Sequence, residues 1–418
     1  MKRSEPATCE SGFALIVTLL LLALLVLAVY ALGTLVRVDG EVATMAVYRT
    51  QARQNALLGL ALGMAKLQRE AGLDTRITGM AGMAGAGPGA TGAMRHWCGV
   101  WRDDGSFVTW LVSGAEPGAA PAIAGEGIEL VAGGSVGAAA IDAEHVIAGK
   151  IPIVVAESAA TPGVATRIGN VAYLVSDEGV KISAFVPDDE RAPSGGRVAI
   201  PNEPGALAEL RAAVEAHGSA LPRVISFEQL SLLGTPPAEA HLPWSALRKS
   251  FHHVTRTART IAPAGNGYVA GTVNLNTTST VVWRGILEGY NAGADEDALI
   301  PASDMETLAE AMAEGLAAAG GPFRSVEAWG ESALLSDVLP PPVTPERFMA
   351  VVGPLLRVRS DTFRVRAYGE AVNPVDGANV EAVAYCEALV QRTPDPAADG
   401  TGRKFVVIFF RWLGPTDV

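Results

Sequence analysis

The strongest pattern in the sequence is a long apolar run that follows a short polar segment. No charged residue occurs from Phe13 to Val36, whereas residues 1–12 contain two basic and two acidic side chains. A helix over 13–36 is roughly 36 Å long, enough to cross a hydrocarbon core roughly 30 Å thick. The pattern therefore predicts a leader over residues 1–12 and a membrane-spanning helix over 13–36.

Apolar positions after this run recur with a helical period. Four of them are spaced by three and four residues: Leu57, Leu60, Met64 and Leu67. The spacing predicts that the first helix extends over 37–72 with one apolar face, and that Lys66 lies on the wet side. Gly59 and Gly63 are weak points in such a helix, and Gly72 is suited to cap its end.

The next part of the chain predicts a loop followed by a β-rich region. Residues 73–95 are rich in Gly and Ala and indicate a loop, and the glycines of 87–92 match a dinucleotide fingerprint only formally, because no strand precedes them. Residues 96–200 predict a β-rich region with two hairpins, which pair 97–101 with 107–112 and 171–175 with 180–186. Asp177 and Glu178 fall in the second turn, where we expect both carboxylates to face water.

The remaining sequence predicts a mostly helical insertion and a final β-meander. Residues 201–345 contain helical patterns over 203–216, 226–233, 244–251 and 303–319, the last with Ser303 as its cap. Residues 346–418 contain strand patterns over 362–372, 380–392 and 404–413. We expect these three strands to form an antiparallel meander.

Composition excludes some functions. The chain has 418 residues, of which 49% are hydrophobic, and a net charge of −12. The hydrophobic content supports a packed core, and the negative charge argues against nucleic-acid binding. Only Cys98 and Cys386 remain once the leader is removed, and they are either a disulfide pair or two buried thiols.

The sequence shows no catalytic motif. It contains no GxSxG, HExxH, Walker or CxxC pattern, and its six histidines, including the adjacent His252 and His253, lack the spacing of metal ligands. We therefore predict that the protein is not an enzyme and carries no cofactor. A membrane-anchored hydrolase with an unfamiliar site is the alternative.

The junction at the start of the apolar run resembles a known processing signal. Gly12-Phe13-Ala14-Leu15-Ile16-Val17 is similar to the prepilin signal of type IV pilins and type II secretion pseudopilins. The resemblance implies that a membrane peptidase cuts between Gly12 and Phe13 and then methylates Phe13. Most pilins carry glutamate at the position of Val17. In lacking this glutamate, the chain resembles K-type minor pseudopilins and some PilX-type minor pilins. In the K type, the absence of the glutamate is associated with a position at the filament tip.

Four further segments resemble the K-type family, and the first is the strand, acidic turn and strand of residues 171–186. Residues 271–279 are similar to the "VNVNTA" signature that opens its helical insertion, 322–327 to its "PF-S-EL" segment, and 360–365 to the return into the main sheet. The family's usual proline and alanine after the asparagines are missing here. Because members of the family can bind calcium in this insertion, Asp295 and Asp297 are weak calcium candidates, and a solvated acidic loop is the alternative.

The resemblance implies an α+β, pilin-like fold in which a long N-terminal membrane-spanning helix packs on an antiparallel β-sheet head with a helical insertion. It implies a minor pilin or pseudopilin subunit of a type II secretion pseudopilus or type IV pilus. The implied partners are other such subunits, the prepilin peptidase and an inner-membrane assembly platform. The head is expected in the bacterial periplasm, because Lys2 and Arg3 favour a cytoplasmic N-terminus.

Two other interpretations of the N-terminal region stay open. A secretory signal peptide cut after Val29-Tyr30-Ala31 would leave Leu32 as the first residue, whereas an uncleaved helix would be a simple anchor. An anchored chain of this kind could serve as an extracytoplasmic binding or adhesion protein. All of these alternatives share the apolar helix, so only processing and assembly distinguish them.

Overall fold

The structure is a computed structural model. It describes residues 10–83, 87, 95–121, 127–131, 145–155, 166–186, 198–202, 206–217, 226–227, 229–230, 234–235, 240–241, 247, 250–264, 267–377, 379–414 and 417. Most of the predicted leader, most of the formal dinucleotide motif and most of the predicted helices over 226–233 and 244–251 lie outside the described residues.

The helices and the strands are each numbered in chain order. The helices are α1 (Glu10–Ala71), α2 (Ala206–Ala216), α3 (Thr280–Gly293), α4 (Met305–Ala318), α5 (Val326–Gly330), α6 (Ala333–Val338) and α7 (Pro345–Val352). The strands are β1 (Arg76–Met80), β2 (Cys98–Arg102), β3 (Phe107–Trp110), β4 (Gly127–Val131), β5 (Val146–Gly149), β6 (Ile151–Val155), β7 (Thr166–Asp177), β8 (Ile182–Ser183), β9 (Gly234–Thr235), β10 (Ala240–His241), β11 (Val254–Thr255), β12 (Arg259–Ile261), β13 (Tyr268–Ala270), β14 (Val273–Asn274), β15 (Leu356–Arg357), β16 (Thr362–Val372), β17 (Val380–Pro396) and β18 (Arg403–Leu413).

Helix α1 runs unbroken through the predicted span and its predicted extension, and it ends directly before Gly72. The buried nonpolar residues of its second half are mostly small: Ala52, Ala56, Gly59, Leu60, Gly63, Leu67 and Ala71. Leu57 is 43% exposed and Lys66 only 7% exposed. The predicted apolar face is therefore confirmed for Leu60, Met64 and Leu67, which belong to the core or pack against it, and is wrong for Leu57. The prediction that Lys66 lies on the wet side is also wrong. Close packing of the helix on a sheet adds small residues to this face.

The main sheet is antiparallel and has the strand order β18-β17-β16-β7-β6. Its last three strands in sequence are the predicted meander, which is confirmed. Alternate apolar residues of β16, among them Phe363 and Val365, join Leu60 and Leu67 of α1 in one core. The other face of β16, which carries Arg364 and Arg366, is also buried, because a second layer of the protein covers it.

The two predicted hairpins have different outcomes. Strands β2 and β3 form the first, and β1 extends them to a three-stranded antiparallel sheet. The second is wrong, because β7 pairs with β6 and β16 and not with the residues that follow its turn. Those residues contribute only β8, which pairs in parallel with β11. The turn is buried and not exposed, and the chain leaves the main sheet after Gly179.

The predicted insertion is helical in its second part. Helices α3 to α7 bury large side chains such as Trp283, Trp329 and Phe348 in a second core, whereas the described residues of 226–274 contain short strands. Ser279 caps α3, and its hydroxyl accepts from the Val282 N–H at 3.3 Å. Ser303 does not cap α4; its hydroxyl donates to Asp304, which precedes that helix. The architecture is α+β, as predicted.

Candidate assembly site on the first helix

The first half of α1 presents a continuous apolar surface. Every large apolar side chain from Phe13, 73% exposed, to Met45, 40% exposed, lies at this surface. By length and composition, α1 is the helix among the described residues that is able to cross a membrane. The predicted cut between Gly12 and Phe13 falls within its first turn, and Val17 lies on the same apolar surface.

The second half of α1 lies unusually close to the main sheet. A methyl group added to Gly63 would lie 2.9 Å from a methyl carbon of Val365, and one added to Gly59 would lie 3.0 Å from a backbone oxygen of β7. A methyl group on Gly369 of β16 would overlap the backbone of Ala56. The glycines that look like weak points in the sequence therefore form the contact between helix and sheet.

Polar side chains fix the position of α1 along the sheet. The Asn55 amide donates to the backbone oxygen of Glu370 at 2.7 Å, and the Gln51 amide donates to that of Ile168 at 3.0 Å. Gln68 at the other end hydrogen-bonds to the backbone of β18. Because these bonds are buried or partly buried, sliding the helix would break them at a cost.

The Glu370 side chain forms a small buried network beside this contact. Lys150 Nζ donates to its carboxylate at 2.6 Å, and Asn170 and Tyr368 also donate to it. Burial would raise the pKa of Glu370, but these three hydrogen bonds outweigh burial and lower it. Glu370 is therefore ionised at neutral pH and holds β6, β7 and β16 together.

A larger group of charges lies on the side of the main sheet opposite α1. We call it the ionic cluster, and its members are Glu178, Lys181, Arg364, Arg366, Glu387 and Arg411. Arg364 and Arg366 donate to the Glu387 carboxylate at 2.8 and 2.7 Å, and Lys181 lies 2.5 Å from Glu178. The ring of Phe251 lies 4.3 Å from the guanidinium carbon of Arg366, which adds a cation–π contact.

The ionic cluster overturns the expectation that the turn carboxylates face water. Glu178 is fully buried and Asp177 is 3% exposed. Burial would raise the pKa of Glu178, but the neighbouring Arg364 and Lys181 charges lower it, so this carboxylate stays ionised. Paired charges within hydrogen-bond distance make its burial tolerable. No cation of the described residues pairs with Asp177, and burial raises its pKa to about 6.

We expect Asp177→Asn to stabilise the protein at pH 7.5 by about 1–3 kcal/mol, because each unit of pKa shift corresponds to about 1.4 kcal/mol. The folded pKa of about 6 lies above the ordinary 3.8, so ionisation of Asp177 opposes folding above pH 6. The penalty declines between pH 6 and pH 4. Denaturant unfolding at pH 7.5 and at pH 4 measures the difference in stability between the variant and the wild type. Asp337→Asn, at an exposed helical aspartate, is the control. A variant that is less stable at pH 7.5 would contradict the argument.

The two cysteines do not form the candidate disulfide. Cys98 and Cys386 are both free and buried, and they lie on β2 and β17 of different sheets. The Cys386 thiol donates to the backbone oxygen of Ala56 at 3.6 Å. Burial raises the pKa of both thiols, that of Cys386 to about 12. The alternative of two buried thiols is the one that the structure contains.

The histidines and the acidic loop do not converge on a metal site. His96 stacks on His252 with ring centroids 3.6 Å apart, so these parallel rings do not point at a shared ion. Asp297 lies 3.6 Å from Arg347, and Asp295 precedes a 3₁₀ turn. Within the described ranges, no group of three or more His, Cys, Asp and Glu side chains could hold a metal. Calcium binding by Asp295 and Asp297 therefore gains no support.

Glu387 and Gly369 are the important residues that sequence reasoning missed. The sequence signal for Glu387 is incomplete: counting back from the predicted loop between β16 and β17 places Arg366 opposite Cys386, and a bulge at Ala371 and Val372 shifts the observed register by one residue, so that Arg366 lies opposite Glu387. A carboxylate opposite an arginine in a strand pair is a favourable cross-strand contact. For Gly369 the sequence offers only a glycine inside a strand pattern, which indicates a close backbone approach without naming the partner.

Comparison with known proteins gives one likeness. No family model and no curated protein matches the chain. A solved structure that matches it is the crystal structure of the GspK-GspI-GspJ complex from the enterotoxigenic Escherichia coli Type 2 Secretion System, with 11% sequence identity and a TM-score of 0.28. The match covers 63% of this chain and 84% of the other. Because this TM-score is low, the proposal below rests on the N-terminal junction and the fold.

Proposed function

We propose that the protein is a minor pilin or pseudopilin subunit, which is processed by a prepilin peptidase and assembled through α1 into a filament. The observation that carries this proposal is the Gly12–Phe13 junction at the start of an apolar helix whose second half is packed on an antiparallel sheet. A cut at this junction leaves the apolar surface of α1 attached to a folded head. That surface then exchanges lipid contacts for contacts with neighbouring subunits.

Val17 supports a place at the end of a filament. A buried carboxylate at this position would need a partner from the neighbouring subunit, whereas valine needs none. The proposed partners are other pilin or pseudopilin subunits, the prepilin peptidase and an inner-membrane assembly platform. The proposed location is the bacterial inner membrane, with the head in the periplasm.

The N-terminal residue of protein purified from its native membrane tests the proposal. We expect Phe13 as the first residue, with a mass one methyl group above that of the unmodified chain. Gly12→Val is expected to abolish the cut, because a branched side chain crowds an extended backbone at the cleavage site. Gly33→Val is the matched control, since Gly33 lies on the exposed apolar surface with nothing nearby, and it should still be cut. Intact Met1 or a first residue at Leu32 would overturn the proposal.

A further inference from the structure

Arginine side chains line a cleft at the C-terminal end of α1. It has a volume of about 230 Å³ and begins at Asp74, three residues after the helix ends. Four arginines line it: Arg76, Arg324, Arg357 and Arg359. Three carboxylates lie at its walls: Asp74, Asp103 and Asp361.

Two of these carboxylates are already neutralised. Asp74 accepts from Arg392 at 2.6 Å and from Arg403 at 2.9 Å, and Arg392 also donates to Asp361 at 3.2 Å. Although burial would raise the pKa of Asp74, hydrogen bonds from Arg403 and Arg392 lower it to about 2. Arg359 lies within 3.7 Å of both carboxylates. These two aspartates therefore pair directly with Arg359, Arg392 and Arg403, and Asp361 attracts Arg357 only without direct contact.

The other three arginines of the cleft form no ion pair within the described part of the chain. Arg357 donates only to the backbone oxygens of Pro354 and Leu356. The Nε atom of Arg76 is buried and makes no hydrogen bond to described residues. Arg324 lies over the turn at Gly105, where a Cβ atom would be 2.6 Å from its guanidinium nitrogen. The six arginines that line the cleft or pair with its aspartates face four carboxylates, because Arg324 also interacts electrostatically with Asp104, which leaves two positive charges.

Converging guanidinium groups are chemically suited to oxyanions. Each presents a planar fork of N–H donors that matches a carboxylate or phosphate, and it stays charged at any physiological pH. Ile77, Ile261 and Val358 form apolar walls, which strengthen electrostatic interactions by excluding water. The volume lies below the roughly 300–1,000 Å³ of sites for drug-sized ligands. The occupant is therefore small, or it is the end of a side chain.

We propose that this cleft binds an anionic ligand with carboxylate or phosphate oxygens, held between Arg76, Arg324 and Arg357. The same chemistry can come from two sources: a free small molecule, or the acidic side chains of another polypeptide. Arg76 Nε is a buried donor that such a ligand would satisfy. The inference is independent of the filament role, because it rests only on the cleft.

Calorimetric titration of the full-length chain in a non-ionic detergent tests the proposal with citrate, inorganic phosphate and an acetylated, amidated tetraglutamate peptide. We expect saturable binding of at least one probe, weakened about tenfold by Arg324→Gln and by Arg357→Gln as each removes a charge-assisted contact. Asp103→Asn is expected to tighten binding, because it removes a competing carboxylate. Binding by citrate or phosphate identifies a small-molecule source, and binding by the peptide alone identifies a polypeptide.

Arg49→Gln is the matched control, since Arg49 is exposed on α1 away from the cleft, and it should leave every titration unchanged. Arg324 is also exposed, so its substitution tests the site without disturbing a core. Absence of saturation with all three probes up to about 10 mM, where affinity would be under about 3 kcal/mol, would overturn the proposal. Equal affinity of wild type and Arg324→Gln would overturn it as well.

Discussion

Glu387→Gln is expected to lower the free energy of unfolding by about 3–5 kcal/mol at pH 7.5, the usual effect of removing one partner from a buried ion pair. Glu387 is 1% exposed and accepts from Arg364, Arg366 and Arg411. Glutamine keeps the shape but loses the charge. Arg366 then loses its ion pair of 2.7 Å with Glu387, whereas Arg364 keeps Glu178.

Tryptophan fluorescence during denaturant unfolding of the full-length chain measures this loss, because all seven tryptophans lie outside α1. Glu41→Gln is the matched control: Glu41 pairs with Arg37 at 3.4 Å on the exposed surface of α1, where such a pair contributes under about 1 kcal/mol. Burial would raise the pKa of Glu387, but Arg364, Arg366 and Arg411 lower it. The stabilisation is therefore present above the ordinary pKa of about 4.3 and declines as the pH falls below it. A loss under about 1 kcal/mol at pH 7.5 would show that water reaches the ionic cluster.

Gly369→Ala is expected to destabilise the head by about 3 kcal/mol, at the upper end of what overpacking usually does. The added methyl group would overlap backbone atoms of Ala52 and Ala56 in α1. A rigid helix backbone cannot yield as a flexible side chain would. The helix must therefore move away from the sheet, which weakens the hydrogen bond from Asn55 to the Glu370 backbone.

Denaturant unfolding and limited proteolysis together measure the effect of Gly369→Ala. We expect a lower unfolding midpoint and new cleavage in the second half of α1, because a displaced helix exposes its backbone to the protease. Gly377→Ala is the matched control: Gly377 follows the same strand and has no atom within 4 Å of an added methyl group. Equal midpoints for the two variants would show that α1 does not lie tightly on β16.

The large elements of the fold were predictable because each has a strong local pattern. The charge-free run from Phe13 to Val36 and the alternation of β16 identify a spanning helix and the final meander from sequence alone. Prediction failed where a distant partner decides the outcome. Glu178 lies in a turn that looks solvated, and its burial depends on Arg364, far along the chain, as well as on the local Lys181. The strand expected after that turn pairs instead with β11.

Part of the candidate assembly site is likewise predictable from the sequence, and part of it is not. The junction at Gly12 and Phe13 and the apolar half of α1 are visible in the sequence. The position of α1 on the sheet is not visible in the sequence, because it depends on a contact between Gly369 and Ala56, which are more than three hundred residues apart. The cleft is equally hidden, since its arginines come from β1, β15 and the loop before α5. Local patterns report local structure, whereas sites built from distant segments need the fold itself.

The pairing of α1 with the last strands of the chain also determines when the head can form. Residues 52–71 acquire many of their buried partners from the last three strands, the first of which begins at Thr362. Contacts of such long sequence separation require large loops to close and make folding slow. A chain still emerging from the ribosome therefore carries an uncovered helix and unpaired strand edges until its last segment is released. During that interval it is prone to aggregation and needs a chaperone or a prompt delivery route.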